Sequence, residues 1–240
     1  MFESTLSRSE IKQHAKDSLR GNWGIAIIVT VIYYAITSAL GFIPPLLLVI
    51  IPPLTVGMCI LSLNATRGNG VELENLFDGF KLFGLSVKAY LLTFLYIFAW
   101  SLIPLALAIL LAATATLGLS SMNLILIPLI IIGAIPAMIA QLDYSLVYFI
   151  IADNPTFTAT EALKLSKSMM RGHRIELIVF GLSFIGWAIL CIFTLFIGYL
   201  WLLPYYFVSF AGFYEQLKDP SSTASARHTA HQSSPESLQF

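Results

Sequence analysis

Charged residues are scarce in this sequence, and their scarcity is the first clue to the class of the protein. Of 240 residues, 11% are charged and 58% are hydrophobic, whereas a soluble domain has about 25% charged and about 45–50% apolar residues. The net charge is +0, which argues against the strong positive field that attracts nucleic acid. Apolar runs longer than about 18 residues predict an all-α, polytopic membrane protein.

The residues and motifs of catalysis and metal binding are equally sparse. The two cysteines, Cys59 and Cys191, lie inside apolar runs, where we expect small core residues rather than a disulfide or a metal site. The four histidines have no metal-ligand spacing, and no P-loop, Gly-x-Ser-x-Gly or H-E-x-x-H motif occurs. We therefore expect a non-enzymatic protein that needs no metal and no cofactor.

Six apolar runs alternate with polar connections. The predicted spans are about 23–43, 46–63, 84–111, 123–151, 175–196 and 198–216. They form one membrane domain, residues 1–217, built from three units of a surface helix followed by a hairpin: 5–65, 71–152 and 157–217. Residues 218–240 are polar and Ser-rich, which is typical of a disordered tail.

Each of the three predicted surface helices is amphipathic. In the first, Ile11, Ala15 and Leu19 recur every four residues and form an apolar stripe. The second, residues 71–83, carries leucine and phenylalanine on one face. The third begins at Thr158.

The first and third surface helices share start and stop signals. Ser7 with Glu10, and Thr158 with Glu161, have the spacing of a capping box. Each helix is then predicted to end at an Arg-Gly pair. Residues 7–21 match 158–172 at five positions, which indicates either an internal repeat or two helices that obey the same capping rules.

The positions of the basic residues predict the topology. All thirteen Lys and Arg residues lie before the first span, between the second and third or in the first turns of the third (Lys88), between the fourth and fifth, or after the sixth. The three other connections carry none. Because positive charge is retained on the cytoplasmic side, both termini are predicted to be cytoplasmic.

Two features point to a transport site. Pro52 and Pro53 fall inside the second predicted span, where each removes a backbone hydrogen bond, and we expect a kink or a broken helix. This predicts either a bend accommodated by neighbouring helices or a discontinuous span that marks a binding site, as in transporters. Asp143 lies ten residues before Asp153 in the fourth predicted span, roughly 15 Å along an ideal helix.

A carboxylate at that depth must face the bundle and be paired or protonated. Asp143 therefore predicts either a proton relay or cation site, with Gln141 and Tyr144 nearby, or an interhelical hydrogen bond. Nearer the cytoplasmic surface, Glu176 is expected to pair with a neighbouring His or Arg.

The basic residues of the surface helices are candidate contacts for anionic lipid headgroups. These candidates are Lys12, Lys16, Arg20, Lys164, Lys167, Arg171 and Arg174. The alternative is that these helices only cover the cytoplasmic ends of the bundle. The predicted partner is an anionic bilayer, and a membrane-protein partner or a second copy of the chain stays open.

The last unit resembles domain-of-unknown-function family 975, six-span membrane proteins of low-GC Gram-positive bacteria. The resemblance lies in Leu182–Trp187, Gly198–Tyr205 and Phe213–Tyr214, and more weakly in Ala162–Ser166 and Met170–Gly172. That family is distantly similar to the membrane domains attached to some glycerophosphodiester phosphodiesterases. The resemblance implies a fold and a bacterial plasma-membrane location, and it supplies no catalytic residue.

Two functional hypotheses follow. The first is a non-enzymatic plasma-membrane protein with a structural, lipid-contacting or accessory role in the bacterial envelope. The second is a small-solute or ion transporter or channel that uses Asp143 and the proline-broken second span.

Overall fold

The described part of the protein is helical and contains no strand. The computed structural model describes residues 8–116, 123–194 and 197–218. Its α-helices are α1 (Arg8–Ser18), α2 (Trp23–Leu40), α3 (Pro44–Thr66), α4 (Glu74–Asp78), α5 (Phe83–Thr116), α6 (Asn123–Asp143), α7 (Val147–Asp153), α8 (Ala159–Met170), α9 (Arg174–Phe193) and α10 (Tyr199–Lys218). A short 3-10 helix, Gly79–Leu82, follows α4.

Five helical segments in the described ranges are long and apolar enough to cross a membrane. They are Trp23–Leu40, Pro45–Thr66, Glu74–Thr116, Leu124–Asp153 and Arg174–Phe193. Many of their large apolar side chains are exposed, which suits contact with lipid tails because the hydrocarbon core is as apolar as these side chains. The sequence-based prediction of several apolar spans is confirmed to this extent.

The second span is not broken. Of the two expected outcomes, a kink or a broken helix, the break is wrong, because α3 continues through Pro52 and Pro53; the kink stays a prediction. Both prolines are buried, and the Thr55 hydroxyl donates to the Ile51 carbonyl at 2.9 Å beside them. Burial of both prolines against protein thus accompanies an unbroken helix, and neighbouring protein is one way in which membrane helices tolerate proline.

The chain folds as two compact units, which are described separately. The first comprises residues 1–82 and 179–240, and the second comprises residues 83–178. The first therefore contains α1 to α4, α10 and most of α9, and the second contains α5 to α8 and the first turn of α9. The three-unit plan suggested by the sequence stays a prediction.

In the first unit, α1 packs on α10 and α3. Ile11, Ala15 and Leu19, the predicted apolar stripe, are all buried. A Cβ on Gly212 of α10 would lie 3.3 Å from the Ile11 side chain, so α1 approaches α10 closely at that point. Packing against protein therefore accounts for the apolar face of α1.

Aromatic side chains join α9 and α10 within the same unit. The ring of Phe180 lies 5.6 Å from that of Phe213, and the ring of Phe184 lies 5.5 Å from that of Tyr205. Ring pairs at these distances add stabilisation beyond the apolar area that they bury. Arg67 at the end of α3 pairs with Glu215 of α10 and ties the opposite side of α10 to the unit.

Two backbone segments of the first unit approach each other closely where α4 and the 3-10 helix cross α3. A Cβ added to Gly57 would lie 2.6 Å from the Leu76 carbonyl carbon, and one added to Gly79 would lie 2.6 Å from Gly57 N. Both contacts are with backbone, which cannot move aside as a flexible side chain can. Glycine is therefore required at both positions.

In the second unit, α5 pairs with α6, and α8 packs on α5, α6 and α7. The predicted capping box of α8 is confirmed: the Thr158 hydroxyl accepts from Glu161 N at 3.3 Å, and Thr158 N donates to the Glu161 carboxylate at 2.8 Å. The Thr158 amide, and secondarily its hydroxyl, lower the pKa of Glu161 below its usual value.

The predicted helix ends at glycine are also confirmed. Gly21 follows α1 with φ +84°, and Gly172 follows α8 with φ +96°. These left-handed conformations suit glycine because it lacks a Cβ. Two further predictions lie wholly or mainly outside the described residues: the Ser7 side of the first capping box and the 218–240 tail beyond Lys218.

Substitution of the two crossing glycines should destabilise the first unit. We expect Gly57→Ala or Gly79→Ala to lower the free energy of unfolding by about 1–3 kcal/mol or more, because the added methyl group overlaps backbone. Thermal unfolding in detergent measures this change. The matched control is Gly24→Ala in α2, whose Cβ meets nothing within 4 Å and which should cause no loss. Equal stability of all three variants would contradict the tight crossing.

Candidate functional site

The candidate polar site in the second unit is a closed ion pair, that is, one in which both carboxylate oxygens accept hydrogen bonds from the same guanidinium. Asp143, the last residue of α6, is only 4% exposed. Arg174, the first residue of α9, donates from Nε to Oδ1 at 2.6 Å and from Nη2 to Oδ2 at 2.9 Å. This two-bonded geometry is the strongest form of an arginine–carboxylate contact. Both carboxylate oxygens of Asp143 are therefore engaged by one guanidinium.

The backbone changes course at the same residue. The helix is interrupted within the predicted fourth span, because α6 ends at Asp143 and α7 begins at Val147. The Ser166 hydroxyl of α8 donates to the Asp143 carbonyl at 2.6 Å. Val147 N donates three residues back, to the Tyr144 carbonyl at 3.3 Å, as in a 3-10 turn. The depth estimated from an unbroken helix therefore does not apply.

Gln141 and Tyr144, the other two predicted members of the site, point to different surroundings. Gln141 is exposed, and the Tyr144 ring packs 5.6 Å from the Tyr96 ring. Within the described ranges, neither side chain hydrogen-bonds to the Asp143 carboxylate. The residues that meet Asp143 are instead Arg174 and Ser166.

The sequence offered no local signal for these partners. Arg174 is 31 positions from Asp143, and Ser166 is 23 positions away. Their one indirect signal was the energetic requirement that a buried carboxylate be paired. That argument predicts a partner without identifying it.

The candidate headgroup contacts fall into two groups. On α8, Lys164, Lys167 and the following Arg171 are exposed, so they are free to meet a membrane surface. Arg174, in contrast, is bound to Asp143. Next to it, the imidazole of His173 lies 2.8 Å from the Glu176 carboxylate, which identifies the expected partner of Glu176.

The cations of α1 face α9 and α10. Lys12 Nζ donates to the Ser183 carbonyl, at the middle of α9, at 3.1 Å and lies 4.3 Å from the centre of the Phe184 ring. Lys16 Nζ lies 5.7 Å from the centre of the Tyr205 ring. Burial, and secondarily the charge of Lys16, lower the pKa of Lys12. Lys12 thus contacts protein, whereas Lys16 and Arg20 line an open cavity with Trp23.

No cluster of three His, Cys, Asp or Glu side chains able to hold a metal ion forms within the described ranges. Cys59 and Cys191 are both free and buried. The chemistry available at Asp143 is therefore that of an arginine–carboxylate ion pair.

The fold and the site together define a class, a helical multi-pass membrane protein with a partly buried ion pair at the end of α6. The chain belongs to the family described as Protein of unknown function (DUF975), whose profile matches residues 1–221. No curated protein and no solved structure matches the chain.

A double-mutant cycle should detect the ion pair. We expect Asp143→Asn and Arg174→Gln each to lower the free energy of unfolding by about 1–3 kcal/mol, because each leaves its partner uncompensated. This loss is smaller than that for a fully buried pair, because Arg174 is one-third exposed to solvent. The double variant should lose less than the sum of the two. Denaturant unfolding in detergent measures the difference.

The matched control is the exposed pair Asp78–Lys81, whose atoms lie 2.6 Å apart. Its cycle should give about 0–1 kcal/mol of coupling. If the coupling free energy between Asp143 and Arg174 is no larger than that of this control, the pair contributes no specific stability.

Proposed function

We propose that the protein is a non-enzymatic integral membrane protein with a structural, lipid-contacting or accessory role in the bacterial plasma membrane. The observation that carries this proposal is the state of Asp143. A proton relay or cation site needs a carboxylate that can exchange its partner, whereas both oxygens of Asp143 are held by Arg174. A carboxylate engaged in this way favours a structural role.

The proposed topology has six spans with both termini in the cytoplasm. Five spans are the apolar segments already described, and α10 would be the sixth. Its 20 residues suffice to cross a hydrocarbon core of about 30 Å. Tyrosine and tryptophan lower its mean hydropathy, and such residues are common where a helix meets the membrane interface. The distribution of basic residues supports the orientation. One cavity of the first unit argues against it, because it brings Arg20 and Trp23 beside Trp201, whereas this topology puts the starts of the first and sixth spans at opposite membrane surfaces.

The proposed partner is an anionic bilayer surface. Lys164, Lys167 and Arg171 are exposed around α8, while the opposite face of that helix is buried against protein. Each such cation near an anionic leaflet contributes about 1 kcal/mol. A membrane-protein partner or a second copy of the chain would bind elsewhere on the apolar exterior. A net charge of +0 offers nothing that favours nucleic acid.

We also propose that the protein lies in a bacterial plasma membrane. We further propose that it is distantly similar to the membrane domains attached to some glycerophosphodiester phosphodiesterases. Both proposals rest on the sequence resemblance of the last unit. They fit a membrane role without catalysis, because the resemblance carries no catalytic residue onto this chain.

The competing hypothesis is a transporter or channel that works through Asp143. One of its two supports, a broken second span, is removed by the continuity of α3. Reconstituted vesicles that contain a pH-sensitive dye decide between the two functions.

Under an imposed membrane potential, we expect wild-type protein and Asp143→Asn to give the same proton flux as protein-free vesicles. The reason is that the ion pair leaves no exchangeable carboxylate. Potassium flux measured in parallel serves as the control for general leakiness. A wild-type flux that Asp143→Asn abolishes would establish the transport function instead.

Reporter fusions test the proposed topology. A reporter fused after Ser120 should be active only outside the cytoplasm, and reporters fused after Gly68 or Lys218 only inside it, because the intervening spans reverse the direction of the chain. The fusion after Lys218 decides whether α10 crosses the membrane. External activity at that position would reduce the count to five spans.

A further inference from the structure

The first unit contains an amphiphilic cavity of about 590 Å³ between α1, α9 and α10. This volume lies within the usual range of small-molecule sites, about 300–1,000 Å³. One wall is charged and belongs to α1, and it carries Lys16, Asp17 and Arg20. The position of Lys16 Nζ, 5.7 Å from the centre of the Tyr205 ring, directs this cation toward the cavity.

The charged wall has a surplus of positive charge. Lys16 and Arg20 contribute two cations and Asp17 one anion, which leaves a net charge of one positive unit. Among the described residues, neither Lys16 nor Arg20 forms a salt bridge. Asp17 accepts instead from Gln13 on the same helix, at 3.5 Å. The two cations are therefore available to a single anionic group.

The opposite walls are apolar and aromatic. Trp187 and Leu190 of α9, Trp201 of α10 and Trp23 of α2 line the cavity. Trp187 and Trp201 remain 53% and 51% exposed, although tryptophan gains free energy when its large apolar surface is buried. These side chains are placed to pack against an apolar group that enters beside the charged wall.

We propose that this cavity binds one anionic phospholipid, with its phosphate between Lys16 and Arg20 and an acyl chain along the tryptophan-lined wall. The net charge of the wall matches the single negative charge of a phosphodiester. A soluble anion would use the cations alone, whereas a phospholipid also covers the exposed tryptophans. The inference rests on the proposed lipid-contacting function and adds a defined site to it.

The tryptophans of the chain provide the probe. The sequence has four, and three of them line the cavity, so Trp100→Phe leaves emission from the cavity residues alone. This variant is placed in phosphatidylcholine bilayers that contain increasing fractions of a phospholipid with brominated acyl chains, which quench tryptophan on contact. The brominated lipid is either phosphatidylglycerol or phosphatidylcholine with identical chains.

We expect brominated phosphatidylglycerol to reach half-maximal quenching at about a tenfold lower mole fraction than brominated phosphatidylcholine, because the two cations favour its phosphate. Lys16→Gln with Arg20→Gln should abolish this preference. The matched control, Lys164→Gln with Lys167→Gln, removes the same charge from α8 and should keep it.

Three outcomes separate the sources of the ligand. Equal quenching by the two lipids would overturn the proposal, and this comparison needs no altered charge in the protein. A headgroup preference that survives Lys16→Gln with Arg20→Gln would also overturn it. Displacement of the brominated lipid by millimolar glycerol phosphate would assign the site to a soluble anion. In each case the flux and topology measurements would still decide the proposed function separately.

Discussion

The ion pair between Asp143 and Arg174 is the interaction on which the second compact unit depends. Through it, the end of α6 is fixed to the first residue of α9. The Ser166 hydroxyl adds α8 to the same point through the Asp143 carbonyl. Removing Arg174 would leave the buried Asp143 carboxylate without its partner, whereas Arg174 is one-third exposed and would stay partly hydrated. These two contacts at Asp143 therefore join three helices of the unit, α6, α8 and α9.

The first unit is held by close packing rather than by a buried charge. Gly57 and Gly79 let two backbone segments meet, and small residues at helix crossings are how membrane proteins gain dispersion energy where water-driven association is weak. The cations of α1 are arranged around this packed unit. Lys12 binds the Ser183 carbonyl, whereas Lys16 and Arg20 border the amphiphilic cavity. Residues that look equivalent in the sequence therefore have different roles.

Local signals in the sequence predicted local structure well. The capping box at Thr158 and the left-handed glycine that ends α8 depend on residues a few positions apart, so their physics is visible in a short window. The partner of Asp143 and the carbonyl bound by Lys12 are 31 and 171 positions away. No periodicity or propensity encodes such contacts. The sequence left open for the same reason whether Pro52 and Pro53 break α3, because the packing around them is tertiary.

The most direct test of the closed ion pair is water accessibility one helical turn before Asp143. In a Cys59→Ala and Cys191→Ala background, Ala140→Cys leaves the pair intact, and Thr160→Cys provides an exposed control. Vesicles of both orientations are treated with a membrane-impermeant maleimide. We expect the maleimide to label Thr160→Cys and to leave Ala140→Cys unlabelled from either side of the membrane. Labelling of Ala140→Cys as fast as the control would reveal a water-filled path to Asp143 and contradict the account.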